Sequence, residues 1–144
     1  MENTYLQQVL RVLSKAEWRD FGDFVQSPYF NKNEKFVRFY QFIQSYYPNF
    51  DIGGELKEKL YLQTSLSDKY SDAGYRNMCS DFLVLVQEFL AQEALHSGNT
   101  IKESLVNRTL VLRGVLDLAE RNVKKAEQQV AKSEIDFQEK LMTA

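Results

Sequence analysis

Residues 75–95 read YRNMCSDFLVLVQEFLAQEAL and form the most apolar long stretch of the chain. Large apolar side chains recur within it at steps of four, three and four on one stripe: Met78, Phe82, Leu85 and Phe89. A second apolar stripe runs beside the first, and one further residue widens the band: Cys79, Leu83, Val86 and Leu90, with Val84. This spacing is helical, and so wide a band is typical of a helix covered on several sides. We therefore predict a central buried helix.

The run at residues 82–86 is also compatible with a buried strand. Strands usually span about 4–8 residues, whereas the apolar pattern here continues for longer, so the helix is favoured. We expect the helix to end near His96, Ser97 and Gly98, because glycine supplies the left-handed conformation that closes many helices.

The composition is ordinary for a soluble globular protein, with 44% apolar and 26% charged residues among 144. The net charge of −2 gives no electrostatic reason to expect nucleic acid or anionic lipid as the main partner. A single cysteine, Cys79, argues against a disulfide framework or a multi-cysteine zinc site. No signal peptide is visible, and no apolar run approaches the roughly 20 residues that span a bilayer. We therefore expect a cytoplasmic protein without a membrane segment.

Capping residues and proline divide the chain before the central helix into shorter helices. Residues 4–13 carry apolar side chains at helical spacing. Ser14 and Glu17 form a capping box, in which each side chain satisfies the backbone N–H of the other, and this box opens a second helix. The second helix should end before Pro28, because the residue that precedes a proline avoids the helical region.

The next two helices are predicted in the same way. Asn31 and Glu34 repeat the capping-box pattern, and the helix that they open should run to about residue 47, where Pro48 stops it. A short helix is expected at residues 56–63. Residues 64–74 are rich in Ser and Asp, which is typical of a polar loop.

The character of the chain changes after Gly98. Of the 19 aromatic residues, 12 lie between residues 18 and 50, and none lies between Phe89 and Phe137. We place a domain boundary near residues 96–100. Residues 1–98 are predicted to form an aromatic-rich helical domain, and residues 99–144 a C-terminal helical pair that is consistent with the start of a longer helical-repeat region.

The C-terminal region offers two alternatives, a helical hairpin or one long helix with a weak point at Gly114. Thr100 and Glu103 form a third capping-box pattern at its start. The helical periodicity then runs almost to Ala144 without a stop signal, so we expect the chain to be a fragment of a longer protein.

The C-terminal pair resembles the second half of a tetratricopeptide repeat. Small residues occur at the offsets at which two helices of that repeat approach closely: Gly114, Ala119, Val123 and Ala126, with Asp117 and the KKAE run at residues 124–127. The first helix departs from the pattern, since Glu103, Val106 and Asn107 stand where a large aromatic and a Leu-Gly pair belong. A generic helical hairpin is therefore the alternative, because one unit of a repeat is weak support for a solenoid.

The sequence contains no recognisable catalytic set. His96 is the only histidine, and its position near a helix end favours a capping role, since cations are stabilising there. No metal-binding motif occurs, and the glycine pair Gly53-Gly54 lacks the residues of a phosphate loop. We predict no cofactor, no metal and no small-molecule ligand, although a carboxylate-only active site stays open because acidic residues occur on every helix.

A small basic cluster, Arg121, Lys124 and Lys125, is the one feature that suggests nucleic acid. Glu120 and Glu127 flank it, whereas a nucleic-acid footprint is a stripe of one sign. A solvated helix face is the better interpretation.

The segment SPYFNKNE at residues 27–34 is the best candidate for a binding site. Pro28 fixes a turn, and exposed aromatic residues in loops favour binding. The predicted partner-binding residues are Tyr29, Phe30, Asn31 and Lys32. The alternative is a structural corner, in which Phe30 is a hydrophobic staple ahead of Asn31.

Four stretches together resemble a family of uncharacterised bacterial proteins. They are LSKAE at 13–17 with Phe21 and Phe24, SPYFNKNEK at 27–35, YYPNF at 46–50 and YRNMCSDFL at 75–83. The resemblance covers roughly residues 10–126 and is most specific at residues 27–35. It implies an all-helical protein, usually longer than this chain, and it implies no activity.

We predict an all-α protein in which a compact helical bundle surrounds one central buried helix and a C-terminal helical pair follows. The leading functional hypothesis is a non-enzymatic protein–protein interaction or scaffold module that binds a protein partner or a second copy of itself. The alternatives are a nucleic-acid-associated regulatory protein and, third, an enzyme with a carboxylate-only site.

Overall fold

The computed structural model describes residues 1 and 4–143, apart from the side chain of Asn99. Within these residues the protein consists of seven α-helices and one short 3-10 helix (Gln44–Tyr46), with no strand. The α-helices are α1 (Tyr5–Arg11), α2 (Lys15–Gln26), α3 (Glu34–Ile43), α4 (Glu55–Ser65), α5 (Asp72–Ser97), α6 (Asn99–Leu112) and α7 (Leu116–Met142). The predicted all-α class is confirmed.

The chain forms two compact units, Met1–Gln92 and Glu93–Ala144. The first unit contains α1 to α4 and most of α5, and the second contains the end of α5 with α6 and α7. The domain boundary proposed near residues 96–100 stays a prediction.

Helix α5 carries the core of the first unit. Both predicted stripes contribute buried side chains: Met78, Cys79, Phe82, Leu85, Val86 and Phe89. The ring of Phe82 stacks on Phe39 at a centroid distance of 4.1 Å and meets Phe21 edge to face at 5.6 Å. The inclusion of Val84 in the buried band was wrong, since this side chain is exposed. Two residues of helix rotate a side chain by about 200°, so Val84 faces away from Phe82.

The second helix begins and ends as the sequence predicts. The Ser14 hydroxyl accepts a hydrogen bond from the Glu17 backbone N–H at 3.1 Å, and the Glu17 carboxylate accepts one from the Ser14 N–H at 2.9 Å. The hydrogen bond with Ser14 also lowers the pKa of Glu17. Ser27, just before Pro28, is extended, with a ψ of 117°. Local chemistry therefore sets both ends of α2.

The predicted cap of α3 was wrong by two residues. The helix begins at Glu34, and its cap is Asn33, whose side chain accepts a hydrogen bond from the Lys35 N–H at 3.0 Å. Asn31 does not cap the helix, because its side-chain oxygen accepts a hydrogen bond from the Asn33 N–H, before the helix begins. The helix ends at Ile43, and the 3-10 helix continues the chain to Tyr46.

The capping box predicted at Thr100 and Glu103 was also wrong. Helix α6 begins at Asn99, directly after Gly98, and no side chain caps it. Thr100 already lies in the first turn of the helix, where its own backbone is helical, and a capping residue must lie outside that turn.

Helix α1 holds the loop that follows the 3-10 helix, a role that its sequence did not indicate. The buried Gln7 amide donates a hydrogen bond to the Phe50 carbonyl at 3.0 Å. Arg11 donates to the Asn49 carbonyl at 2.7 Å and to the Asp51 carboxylate at 2.9 Å. Phe50 itself is fully buried and has a φ of +53°, a region that costs non-glycine residues about 1–3 kcal/mol. The contacts from α1 help to hold this strained conformation.

Replacement of Phe82 by alanine should lower the free energy of unfolding by about 3–5 kcal/mol, because removal of a fully buried ring leaves a cavity. Val84→Ala is the control on the same helix, and its effect should stay within about 0.5 kcal/mol because the side chain is exposed. Urea unfolding followed by circular dichroism measures both. A loss under ~1 kcal/mol for Phe82→Ala would show that the ring is not part of a packed core.

Replacement of Gln7 by leucine should lower the free energy of unfolding by about 1–3 kcal/mol, because the buried Phe50 carbonyl loses a donor. The exposed neighbour Gln8 provides the matched substitution, Gln8→Leu, which should have little effect. Equal effects of the two substitutions would contradict the role assigned to Gln7.

Candidate functional site

The corner segment, residues 29–32, joins α2 to α3 and contains the four residues predicted to bind a partner. Tyr29 is 85% exposed, and its ring meets that of Phe30 edge to face with centroids 5.0 Å apart. Phe30 is only 38% exposed and stacks on Phe24 of α2 at 4.6 Å. Phe30 therefore anchors the corner, whereas Tyr29 presents most of its side chain to solvent.

The Asn31 side chain stabilises the corner segment itself. Its amide group donates hydrogen bonds to the Val25 carbonyl at 2.8 Å and to the Asn33 carbonyl at 3.1 Å. Its oxygen accepts a hydrogen bond from the Asn33 N–H at 3.0 Å. Because both donors and one acceptor position are already used, Asn31 has little remaining capacity to bond with a partner.

Three of the predicted residues, Phe30, Asn31 and Lys32, line one shallow depression of about 450 Å³. Helix α5 contributes Asp81 and Glu88 to the same depression, so Lys32 is a cation beside carboxylates. Tyr29 lies outside the lining. The structure thus brings most of the predicted site together, and the binding role of these residues stays a prediction.

A polar cluster that the sequence did not indicate joins α4 to the start of α5. The Tyr70 hydroxyl donates a hydrogen bond to Asp72 at 2.8 Å, and the Lys57 amine lies 3.6 Å from the same carboxylate. Burial raises the pKa of Tyr70, and the Tyr70 hydroxyl raises the pKa of Lys57. Both groups are therefore protonated at neutral pH. The hydrogen bond from Tyr70 lowers the pKa of Asp72, and this carboxylate is engaged by both neighbours, so the cluster is best explained as a structural link.

Two titratable side chains, Tyr75 and Cys79, are buried in the interior of the first unit. Burial raises the pKa of both Tyr75 and Cys79, so neither is ionised at neutral pH. The Tyr75 hydroxyl accepts a hydrogen bond from the Met1 amino group at 2.8 Å. In residues 1 and 4–143, no three His, Cys, Asp or Glu side chains converge in a way that could hold a metal ion.

Helices α6 and α7 form an antiparallel hairpin, which is one of the two alternatives predicted for this region. Gly114 lies in the turn between them with a φ of +79°, a conformation that favours glycine. The Val115 N–H donates to the Leu110 carbonyl at 2.8 Å and closes the end of α6. Across the hairpin, the Asn122 amide donates to the Asn107 side-chain oxygen at 3.1 Å.

The hairpin buries very little of its apolar surface. Among the described side chains of α6 and α7, Ala119 is the only one that is buried, and Ala126 is half-buried. These two small residues occupy positions of the tetratricopeptide-like pattern, and the resemblance itself stays a prediction. Many large apolar side chains of the hairpin are exposed, which is unusual for a surface without a partner.

An open groove of about 680 Å³ lies between the two helices, and we refer to it as the acidic groove. Helix α6 lines it with Thr100, Glu103, Ser104 and Asn107, and α7 with Val123, Ala126, Glu127, Val130, Ala131 and Glu134. Four of its lining residues are small or branched apolar residues of α7, and most of the exposed lining is apolar. Three glutamates border them, and the residues described along the groove include no cation.

A seven-residue spacing in α7 is the signal that could have indicated this groove. Leu116, Val123, Val130 and Phe137 recur every seven residues, and a glutamate follows the first three of them by four residues: Glu120, Glu127 and Glu134. Residues separated by seven lie on one face of a helix, so the apolar row and the acidic row run side by side. The tetratricopeptide-like pattern includes only Val123 of this apolar row and therefore does not indicate the seven-residue repeat.

The basic cluster on α7 is interleaved with carboxylates. The Lys124 amine lies 3.5 Å from the Glu120 carboxylate one turn away. Arg121, Lys124 and Lys125 share a shallow depression with Asp117 and Glu120. The surface is therefore mixed in sign, unlike the stripe that phosphate binding requires.

His96, the only histidine of the sequence, is exposed in the last turn of α5. No described helix combines the length and the hydropathy needed to cross a membrane. No protein-family model matches the chain, and neither a curated protein nor a solved structure matches it.

Asn31→Ala should lower the free energy of unfolding by about 1–3 kcal/mol, because it leaves the partly buried Val25 carbonyl without its donor and removes the bonds with Asn33. Tyr29→Ala should change it by less than about 0.5 kcal/mol, because the side chain is largely exposed. Thermal or urea unfolding distinguishes the two. A large loss for Tyr29→Ala would show that Tyr29 contributes to folding and is not a free surface aromatic.

Proposed function

We propose that this chain is a non-enzymatic protein-interaction module that binds a helical segment of a partner protein in the acidic groove. The observation that carries the proposal is the open apolar surface between α6 and α7, which is bordered by Glu103, Glu127 and Glu134. An apolar centre with a polar border is the usual composition of a protein–protein interface.

The shape of the acidic groove favours a helix as its occupant. The groove extends along α7 from Val123 to Glu134, a length of about 16 Å at the helical rise of 1.5 Å per residue. A groove of this kind receives the apolar face of an amphipathic helix in a common mode of recognition. Because the bordering charges are all negative, the partner helix should carry Lys or Arg beside its apolar face.

The two alternative functions receive less support. Phosphate would be repelled by the glutamates of the acidic groove, and the basic cluster at Arg121 is interleaved with carboxylates. For an enzyme, the acidic groove supplies carboxylates but neither a histidine nor a cysteine, and among the described residues no three such groups converge as a metal site. A cytoplasmic location and membership of the bacterial family remain parts of the proposal that rest on the sequence alone.

The test is a capture experiment with the tagged chain in a native lysate, read by mass spectrometry. Val130→Glu places a charge on the floor of the acidic groove and should reduce capture of groove-bound proteins about tenfold, the effect of 1.4 kcal/mol. Ile135→Glu is the matched control on α7, because Ile135 lies outside the groove and is 57% exposed, close to the 59% of Val130.

The proposal is supported if a protein is captured after nuclease treatment and by the Ile135→Glu variant, but is no longer captured by the Val130→Glu variant. Equal capture by the two variants would show that the acidic groove is not the binding surface. Capture that disappears on nuclease treatment or weakens steeply with salt would transfer the assignment to nucleic acid.

A further inference from the structure

The face of α6 that points away from α7 carries a second unpartnered apolar surface, which we name the α6 stripe. Its residues follow one another at steps of four, three and four: Ile101, Leu105, Arg108 and Leu112. All four are exposed, and none of them lines the acidic groove. The two faces of this short helix therefore offer two different surfaces, one inside the groove and one opposite it.

The charges of α6 are divided between these two surfaces. Glu103 is the only carboxylate of the helix, and it lines the acidic groove. The two cations of the helix are Arg108, within the α6 stripe, and Lys102, which flanks the stripe and also lines a depression between α6 and α7 with Glu103 and Lys125. Both are exposed, and no ion pair is present between them and the described carboxylates. The α6 stripe is thus an apolar helix face accompanied by positive charge only.

We propose that the occupant of the acidic groove is the α6 stripe of a second copy of this chain. The inference rests on the proposed function, since it identifies the partner helix at the same groove. The stripe has the features that the groove requires: it is helical, apolar along one line and basic beside it. Opposite charges on two apolar surfaces steer and orient their association.

The axial spacing of the charges is compatible with the match. Lys102 and Arg108 are six residues apart, about 9 Å along a helix, and Glu127 and Glu134 are seven residues apart, about 10.5 Å. Six residues also rotate the side chains by about 600°, so Lys102 and Arg108 lie about 120° apart around α6, one on a flank of the α6 stripe and one within it. Their long, flexible side chains must cover that separation to approach the two glutamates of the next copy.

The contact is heterologous, because the stripe and the groove are different surfaces of the same hairpin. Each copy can therefore donate its stripe to one neighbour and receive the stripe of another. Heterologous contacts produce rings or open chains instead of closed two-fold dimers. Association should accordingly continue beyond the dimer as the protein concentration rises.

Charge reversal on the groove and on the stripe tests the contact from both sides. Self-association of each variant is measured by sedimentation equilibrium, over protein concentrations up to the solubility limit. The groove variant is Glu127→Lys/Glu134→Lys, and the stripe variant is Lys102→Glu/Arg108→Glu. Each should raise the dissociation constant for self-association by about tenfold or more, because like charges then face each other across the contact. The variant that combines all four substitutions should associate like the original chain.

Matched controls separate the contact from a general effect of net charge. Asp136→Lys/Glu139→Lys has the same net charge as the groove variant, and Arg121→Glu/Lys132→Glu has the same net charge as the stripe variant. All four control positions are exposed and lie outside both surfaces. The controls should associate like the original chain, and circular dichroism should show unchanged helix content in every variant.

A substitution without charge provides an independent test. Leu105→Gln removes an exposed apolar side chain from the α6 stripe and should also weaken self-association. Association that resists this variant and both charge reversals would overturn the proposal. Recovery in the four-substitution variant would show that the reversed charges are tolerated by the fold.

Self-association of the chain and its capture of other proteins are measured separately, so a wrong occupant can be told apart from a wrong binding surface. If the chain stays monomeric at every concentration while Val130→Glu still abolishes capture of another protein, the second copy is the wrong occupant and the interaction module stands. If the chain is monomeric and Val130→Glu changes nothing, both proposals fail.

Discussion

Burial of aromatic rings against α5 is the interaction on which the first unit depends. Phe82 and Phe89 extend from this helix into rings supplied by α2 and α3, and Phe21 contacts both at 5.6 and 5.3 Å. Aromatic pairs at such distances add to the free energy of simple burial. Strained elements near the core, such as the left-handed Phe50, persist because the packing around them is already determined.

The second unit is subject to the opposite constraint. Helices α6 and α7 contain 14 and 27 residues, yet Ala119 is the only described side chain that they bury. Small side chains allow two helices to approach closely, but they remove little apolar area from water. Because burial of apolar area is the main source of folding free energy, the contact between α6 and α7 contributes little. The larger residues, such as Ile101 and Val130, point to surfaces that the hairpin does not close. The two apolar faces and their opposite charges follow from this composition.

The parts of the fold that depend on local chemistry were predictable. The burial of Phe82 follows from periodicity, and the Ser14 capping box needs only residues three positions apart. Asn31 and Asn33 are both chemically able to cap α3. In the folded turn the Asn31 oxygen accepts from the Asn33 N–H, and the Asn33 oxygen is the one that accepts from the helix, at Lys35. The role of Gln7 depends on a carbonyl 43 positions away. Periodicity contains no information about such a distant partner.

The candidate site shows the same division. The corner segment was predictable because it combines a proline with aromatic residues. In the structure, the Asn31 side chain of this segment already bonds within the corner itself. The acidic groove is assembled from two helices, so its border becomes visible only when Glu103 and Glu127 are brought together.

Association and folding of the hairpin are coupled in this protein if the groove binds a helix. An isolated helix as short as α6, with 14 residues, is marginal in water, and packing of an apolar face supplies most of the stability of helices in proteins. An occupant would cover Val123 and Val130, which the hairpin leaves exposed, and full burial of such a side chain contributes about 1.5–3 kcal/mol. By mass action, a partner that binds only the folded hairpin stabilises it as the partner concentration rises. The glutamates then serve mainly to select and orient the partner, while the apolar floor supplies the affinity.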